Sequence, residues 1–205
     1  MKFPEGRRKE NRFLRRIPDT YGIEKIPRDT YTTMLDIGAN IGTISMIARF
    51  FHPIMRIIAF EPCLTTYECL VANTAGMFIE TVNTALLDGS DVAINLGRCG
   101  SVGNSVSTVP EGITSRTLTE IVAEFGINPA ETILKIDCEG GEHSLLTNPG
   151  DYQLFGKFGY IAMEVHKRGD KTAASFVDHF TANHRRRVTE VNFGNNGHIL
   201  SYIRR

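Results

Sequence analysis

Apolar runs of strand length alternate with stretches of helical periodicity along most of the chain, the pattern of an α/β fold built on a mainly parallel sheet. Residues 33–38 (TMLDIG) read as the first buried strand, and 43–51 (TISMIARFF) as a helix that ends before Pro53. Residues 56–62 (RIIAFEP) give a second, continuously apolar strand, 65–75 a helix that stops near Gly76, and 81–87 (TVNTALL) a third strand. Between 89 and 112 Gly, Ser and Asn dominate, with one strand-like run at 92–96, which predicts a hairpin or flap outside the core. Helical periodicity returns at 118–125. A strand at 132–140 (TILKIDCEG) ends in acidic residues and leads into a short helix at 142–146. Residues 160–166 (YIAMEVH) form another strand and 173–182 another helix, after which 187–193 and 198–203 flank GNNG, the turn chemistry of an antiparallel hairpin that closes the sheet.

A chain of 205 residues, 41% of them hydrophobic, buries one substantial core and leaves no room for a second ordinary domain. The expected organisation is a basic lead-in at 1–30 and a single domain at 31–205. Lys and Arg number 23 against 23 Asp and Glu, so no global field marks the chain as a binder of nucleic acid or membrane surfaces. The first thirty residues are charged throughout, without the apolar stretch of a secretory signal, and no run approaches the length of a spanning helix, so the cytoplasm is the expected location. Cys63, Cys69, Cys99 and Cys138 form no C-x-x-C pair and read as four free thiols.

The chemistry concentrates at Asp36-Ile-Gly38-Ala39-Asn40-Ile-Gly42, where glycines let the backbone turn after a strand and approach a ligand closely. The helix that follows points its free N–H groups into the same crevice. An ordinary glycine turn would look similar, but Glu61 lies at the end of the next strand, about twenty residues on, where a carboxylate accepts both hydroxyls of a ribose. That spacing selects a nucleoside. The loop departs from the G-x-G-x-x-G of dinucleotide enzymes, and Asp36 suits a cationic cofactor better than a pyrophosphate.

LDIGANIGTIS, IIAFEP, the strand through Asn83 and Ala85, LKIDCEGGEHSLL and IAMEVH occur in one order over residues 31–166, and together they resemble the FkbM family of S-adenosylmethionine-dependent methyltransferases. Alanine commonly stands in that family where Gly141 does, and a hydrophobe where Cys138 does. The resemblance implies a Rossmann-like class I methyltransferase with a mainly parallel seven-stranded sheet, helices on both faces and a C-terminal antiparallel hairpin. It implies that Asp36, Gly38, Ala39, Asn40 and Gly42 line the methionine part of S-adenosylmethionine, that Glu61 with Pro62 holds the ribose, and that Asn83 and Ala85 flank the adenine. Asp137 and Glu139 would face the reactive methyl group. The implied reaction is O-methylation of a hydroxyl on a sugar, glycan or small natural product. Ligands of open α/β sheets bind beyond the carboxyl ends of the strands, where all these segments converge.

The candidates for proton removal or acceptor orientation are Asp137, Glu139, Glu142, Glu164 and His166. Asp137 is favoured for orientation and His166 as a base, because an imidazole titrates near neutral pH. Asp137 follows the apolar run Ile133, Leu134 and Ile136, where an unpartnered carboxylate is costly, whereas Glu142 serves equally well as a helix-start acid. Asp137, Glu139 and Glu164 could gather around Mg²⁺ or Ca²⁺, but no ligand loop accompanies them and no metal is assigned. The basic runs at 6–16 and 185–187 lack the interleaved aromatics that stack bases, and methylation of RNA or protein through them is the less favoured alternative. A nicotinamide-dependent oxidoreductase using the same loop and Glu61, and a cofactor-binding module without turnover, are the remaining alternatives. Oligomeric state has no signature.

Overall fold

The computed structural model describes residues 2, 21–87, 94–95, 105–106, 114–167, 170, 172–182, 186–192 and 197–203. The basic run at 6–16, most of the 89–112 segment, Cys99 and most of the GNNG turn lie outside them.

Four parallel strands, β1 (Thr33–Ile37), β2 (Arg56–Phe60), β3 (Ile79–Val82) and β8 (Thr132–Ile136), are joined by a fifth, β9 (Tyr160–His166). The hairpin of β10 (Arg186–Asn192) and β11 (Gly197–Ile203) completes the sheet, with β11 antiparallel to both β9 and β10. The spatial order is β10-β11-β9-β8-β1-β2-β3, seven strands in all. Chain direction along the sheet reverses between β1 and β8, so the carboxyl ends of these two strands form the crevice where open α/β sheets take ligands.

Strand side chains alternate between two cores, as the pleat requires. Leu35, Ile37, Ile58, Phe60, Leu134, Ile136, Ile161, Met163 and Val165 face one cluster. It is covered by α3 (Leu118–Glu124), α4 (Pro149–Phe155) and α5 (Ala173–Ala182), through Ile121, Phe155, Phe176 and Phe180. Met34, Ile57, Ile133, Tyr160 and Ala162 face the other, with Ile44 and Ala48 of α1 (Thr43–Phe51) and Tyr21 and Ile23 from the lead-in. Leu70 of α2 (Leu64–Thr74) packs with Ala39 and Ala59 on that same face. Each large apolar side chain buried this way contributes about 1.5–3 kcal/mol.

The predicted third strand divides. Ile79–Val82 joins the main sheet, whereas β4 (Ala85–Leu86) leaves it and pairs in parallel with β7 (Ser115–Arg116). The break is polar: the Thr84 N–H donates to the Val82 carbonyl and its hydroxyl to the Thr114 carbonyl, while the Asn83 amide donates to the Glu61 and Pro62 carbonyls. Within the segment read as a flap, β5 (Ile94–Asn95) and β6 (Ser105–Val106) pair antiparallel, as a hairpin does. Helix α4 was not predicted. It is capped by Asn148 and begins on Pro149, and its fully buried Asp151 accepts from the Leu118 and Thr119 N–H groups, fixing the start of α3.

One cysteine expectation is overturned. Cys63 is disulfide-bonded, and Cys69 and Cys138 are free. A disulfide needs two cysteines close in space, whatever their spacing along the chain, so the missing C-x-x-C pattern was no guide. Among the described residues no helix is long and apolar enough to cross a membrane.

Candidate active site

The glycine loop leaves β1 and folds against the end of β2, where the Gly38 and Ala39 N–H groups both donate to the Phe60 carbonyl at 2.9 Å. Gly38 has φ +73° and packs on the Asp137 backbone so closely that a Cβ would lie 1.7 Å from the Asp137 carbonyl oxygen. Only glycine permits that contact, so the loop that would carry the cofactor and the loop that carries the acids touch through backbone. Asn40 is exposed, with φ +52°, a left-handed conformation that asparagine tolerates better than most residues. Gly42 precedes the first turn of α1 at φ +90°, against Leu70 and Thr74 of α2.

Glu61 stands at the end of β2 as predicted, 8% exposed. Its Oε2 accepts from the Asn40 N–H at 2.9 Å and its Oε1 from the Cys63 N–H at 3.0 Å. Burial outweighs these bonds and raises its pKa to about 7. Each oxygen keeps a lone pair for a further donor. Pro62 and Asn83 lie beside it, the Asn83 amide bonded to the Glu61 and Pro62 carbonyls, while Ala85 is buried within β4.

Asp36 lies beneath the loop. Its carboxylate is fully buried, 2.9 Å from the Lys135 ammonium, and accepts from the Ser45 hydroxyl at 2.6 Å. The two residues are register partners on β1 and β8, so both side chains emerge on one face. Lys135 also donates to the Gly38 carbonyl at 2.9 Å. Burial pulls its pKa down, but Asp36 and Asp137 more than offset this and it ends raised. The loop thus rests on a satisfied internal ion pair.

Asp137, Glu139, Glu164 and His166 converge at the ends of β8 and β9. The His166 Nε2 lies 3.3 Å from Glu139, 3.5 Å from Glu164 and 4.0 Å from Asp137. Glu142, fully buried, holds the other side: its Oε1 accepts from the His166 backbone N–H at 2.7 Å and lies 3.3 Å from Nδ1, and its Oε2 accepts from the Gly140 N–H at 2.8 Å. The His143 ring is bonded to the His166 carbonyl at 2.8 Å. Burial lowers the His166 pKa, but Glu142, Asp137 and Glu139 outweigh it and bring it to about 9. At neutral pH the ring is therefore an imidazolium. Burial, with Asp137 close by, lifts Glu164 to about 7. Tyr21 enters from the lead-in, its hydroxyl 3.1 Å from Asp137 and 3.4 Å from Glu164.

The FkbM methyltransferase domain family matches residues 36–204. The chain belongs to this family. No curated protein matches it. A solved FkbM methyltransferase from Methylobacillus flagellatus KT is similar at 17% identity and TM-score 0.57, over 86% of this chain and 44% of that one. A precorrin-6y C5,15-methyltransferase from Geobacter metallireducens GS-15 aligns at 12% identity and TM-score 0.57, over 98% of this chain and 93% of that one. A fibrillarin from Aeropyrum pernix, in complex with natively bound S-adenosyl-L-methionine, aligns at 9% identity and TM-score 0.52, over 90% of this chain and 73% of that one. At such identities the likeness is one of fold.

Within this FkbM domain the site residues named from sequence fall in two groups at the carboxyl end of the sheet, apart from Ala85, which is buried in β4 and pairs with Ser115 outside the main sheet. Asp36 to Gly42, Glu61, Pro62 and Asn83 lie around the ends of β1 and β2, and Asp137, Glu139, Glu164 and His166 around those of β8 and β9. Gly38 against Asp137 joins the groups. Asp137, Glu139 and His166 each place one ligand-type atom within 4.8 Å of the others, a spacing short enough for one cation to bridge them. Sequence reasoning missed Lys135 and Tyr21. Lys135 had a signal, a charge inside an apolar strand, which calls for a buried partner. Tyr21 had none, since it lies 116 positions from Asp137.

Proposed function

We propose that this FkbM domain transfers a methyl group from S-adenosylmethionine to a hydroxyl on a neutral sugar, glycan or small natural product. The observation that carries this reading is the set of carboxylates, Asp137, Glu139 and Glu164, standing beside the glycine loop with about a quarter of each side chain exposed. The donor set fits the cofactor: acids face the place of a sulfonium and an ammonium, and Glu61 retains acceptor capacity for a ribose. The fibrillarin of similar fold was solved with that cofactor, which supports the same use here.

S-adenosylmethionine, when bound, would supply a methyl group on a sulfonium, its sulfur leaving as a thioether. Gly38, Ala39, Asn40 and Gly42 would line the methionine part, with Asp36 supporting them from below through Lys135. Glu61 and Pro62 would hold the ribose, and Asn83 and Ala85 would border the adenine. Asp137 orients the acceptor, Glu139 adds negative potential beside it, and Glu164 takes the hydroxyl proton, its pKa of about 7 suiting a base at neutral pH. His166, already protonated, opposes the rise of the Glu164 pKa and holds the neighbouring acids in place. An acceptor aligned in this way needs little other chemistry.

A rim of carboxylates repels a polyanion at the point of reaction, so a neutral polyhydroxyl acceptor is favoured over RNA. Calorimetric titration with S-adenosylmethionine, followed by transfer of a labelled methyl group to a panel of neutral sugars and glycans, tests the reading. Cofactor binding and label in an alkali-stable ether support it. Folded protein that binds no S-adenosylmethionine sinks it.

A further inference from the structure

Asp137 and Glu164 occupy neighbouring positions at the ends of β8 and β9, one step beyond the Ile136 to Met163 pair, where like charges oppose each other. Each turns one oxygen to His166: Asp137 Oδ1 lies 4.0 Å and Glu164 Oε1 3.5 Å from Nε2. Each turns its other oxygen to the Tyr21 hydroxyl, Oδ2 at 3.1 Å and Oε2 at 3.4 Å. The four side chains close a ring. Tyr21 is held in it from both ends, because its carbonyl accepts from the Tyr160 hydroxyl at 3.0 Å and its ring lies over the Lys135 ammonium at 5.6 Å. It precedes the residues matched by the family, which begin at 36.

Resting on the methyltransferase reading above, we propose that Tyr21 is the positioning residue that decides which acid accepts the reaction proton: its hydroxyl donates to Asp137, fixes that carboxylate as the orienting group, and so leaves Glu164 as the base. A phenol has one proton to donate, and the shorter distance directs it to Asp137. Burial and the two acids raise the Tyr21 pKa well above 10, so the phenol stays a donor wherever the enzyme is folded. The other titratable groups facing the pair among the described residues are Asp36, Lys135, Glu61 and Cys138 on the side of β1 and β8, and Glu139, Glu142 and His166 beside it. With the phenol removed, the two facing carboxyl groups lose a donor, and the proton on Glu164 becomes harder to release.

Carbon-13 carboxylate NMR of the full chain across the neutral range tests this. Two carboxylates are expected to titrate near 7, Glu61 and Glu164, and each is assigned by its loss in Glu61→Gln or Glu164→Gln. In Tyr21→Phe the Glu164 transition is expected to rise by about one unit, and that of Glu61, for which Asp137 is only a minor influence, to move far less. A merely structural role would lower Tm without moving that transition, so a folded Tyr21→Phe protein with an unshifted Glu164 overturns the proposal. Should the variant not fold, the Cζ resonance of Tyr21 in the unaltered protein serves: it must follow the Glu164 titration, and a flat response overturns the proposal equally. Calorimetry with S-adenosylmethionine on the unaltered protein tests the methyltransferase reading separately, since its failure leaves the titration result standing.

Discussion

Replacing Glu142 with glutamine puts the electrostatics of the acid cluster to a direct test. Glu142 is fully buried and touches His166 through the backbone N–H at 2.7 Å and the ring Nδ1 at 3.3 Å. It is the largest of the influences that raise His166 from 6.5 to about 9 against the opposing effect of burial. A rise of that size corresponds to about 3 kcal/mol of folding free energy. Because the folded pKa is the higher one, this stabilisation is complete below 6.5 and is lost as pH climbs through about 9. Glu142, whose own pKa is lowered, acts in the opposite sense: its contribution is present above the ordinary carboxylate value of 4.5 and is lost as pH falls through the depressed one. Glu142→Gln keeps the shape and removes the charge, so the expected loss is about 2 kcal/mol near pH 6 and well under half of that near pH 10. Urea denaturation at the two pH values measures this, and proton NMR of the His166 ring measures the pKa itself. A His166 that titrates at its ordinary value in the unaltered protein, or a variant equally destabilised at both pH values, would refute the reasoning.

Three further outcomes follow from geometry. Lys135→Met leaves the Asp36 carboxylate buried without its cation, an expected loss of about 3–5 kcal/mol in urea melts, and Asp36→Asn in the same chain should restore part of it. Gly38→Ala introduces a Cβ 1.7 Å from the Asp137 carbonyl at φ +73°, so thermal melts should show destabilisation of about 2 kcal/mol or more together with weakened S-adenosylmethionine binding; an unchanged Tm contradicts the close contact. Affinity for S-adenosylmethionine should strengthen as pH rises through about 7, where Glu61 ionises. In Glu61→Gln that dependence should vanish and binding fall by about tenfold, both read by calorimetry.

The strands were legible because β1, β2, β8 and β9 are runs of Ile, Leu, Val and Met buried on both faces, and their order along the chain alternates with helices. The third strand was read as one piece because Asn83 and Thr84 sit between apolar residues, and nothing local shows that their polar groups will be claimed by Glu61, Pro62 and Thr114. Helix α4 is seven residues long and opens Pro-Gly, too short for periodicity to stand out. At the site, residues tied to local backbone geometry, Gly38 and Glu61 among them, could be named from pattern. Their electrical states could not. His166 looked like a base from its type alone, and only the approach of three carboxylates from residues 137–142, added to Glu164 on its own strand, makes it a resident cation.

The absence of any gap between Gly38 and the Asp137 carbonyl has a bearing on how this enzyme could change its substrate. Two segments in hard contact move as one body, so shifting the acids to suit a larger or differently shaped acceptor would drag the glycine loop along with them. Selection for new acceptors is thereby pushed outward, onto side chains that meet the distal parts of a substrate. The spacing between glycine loop and acids is left as the invariant around which such variation takes place.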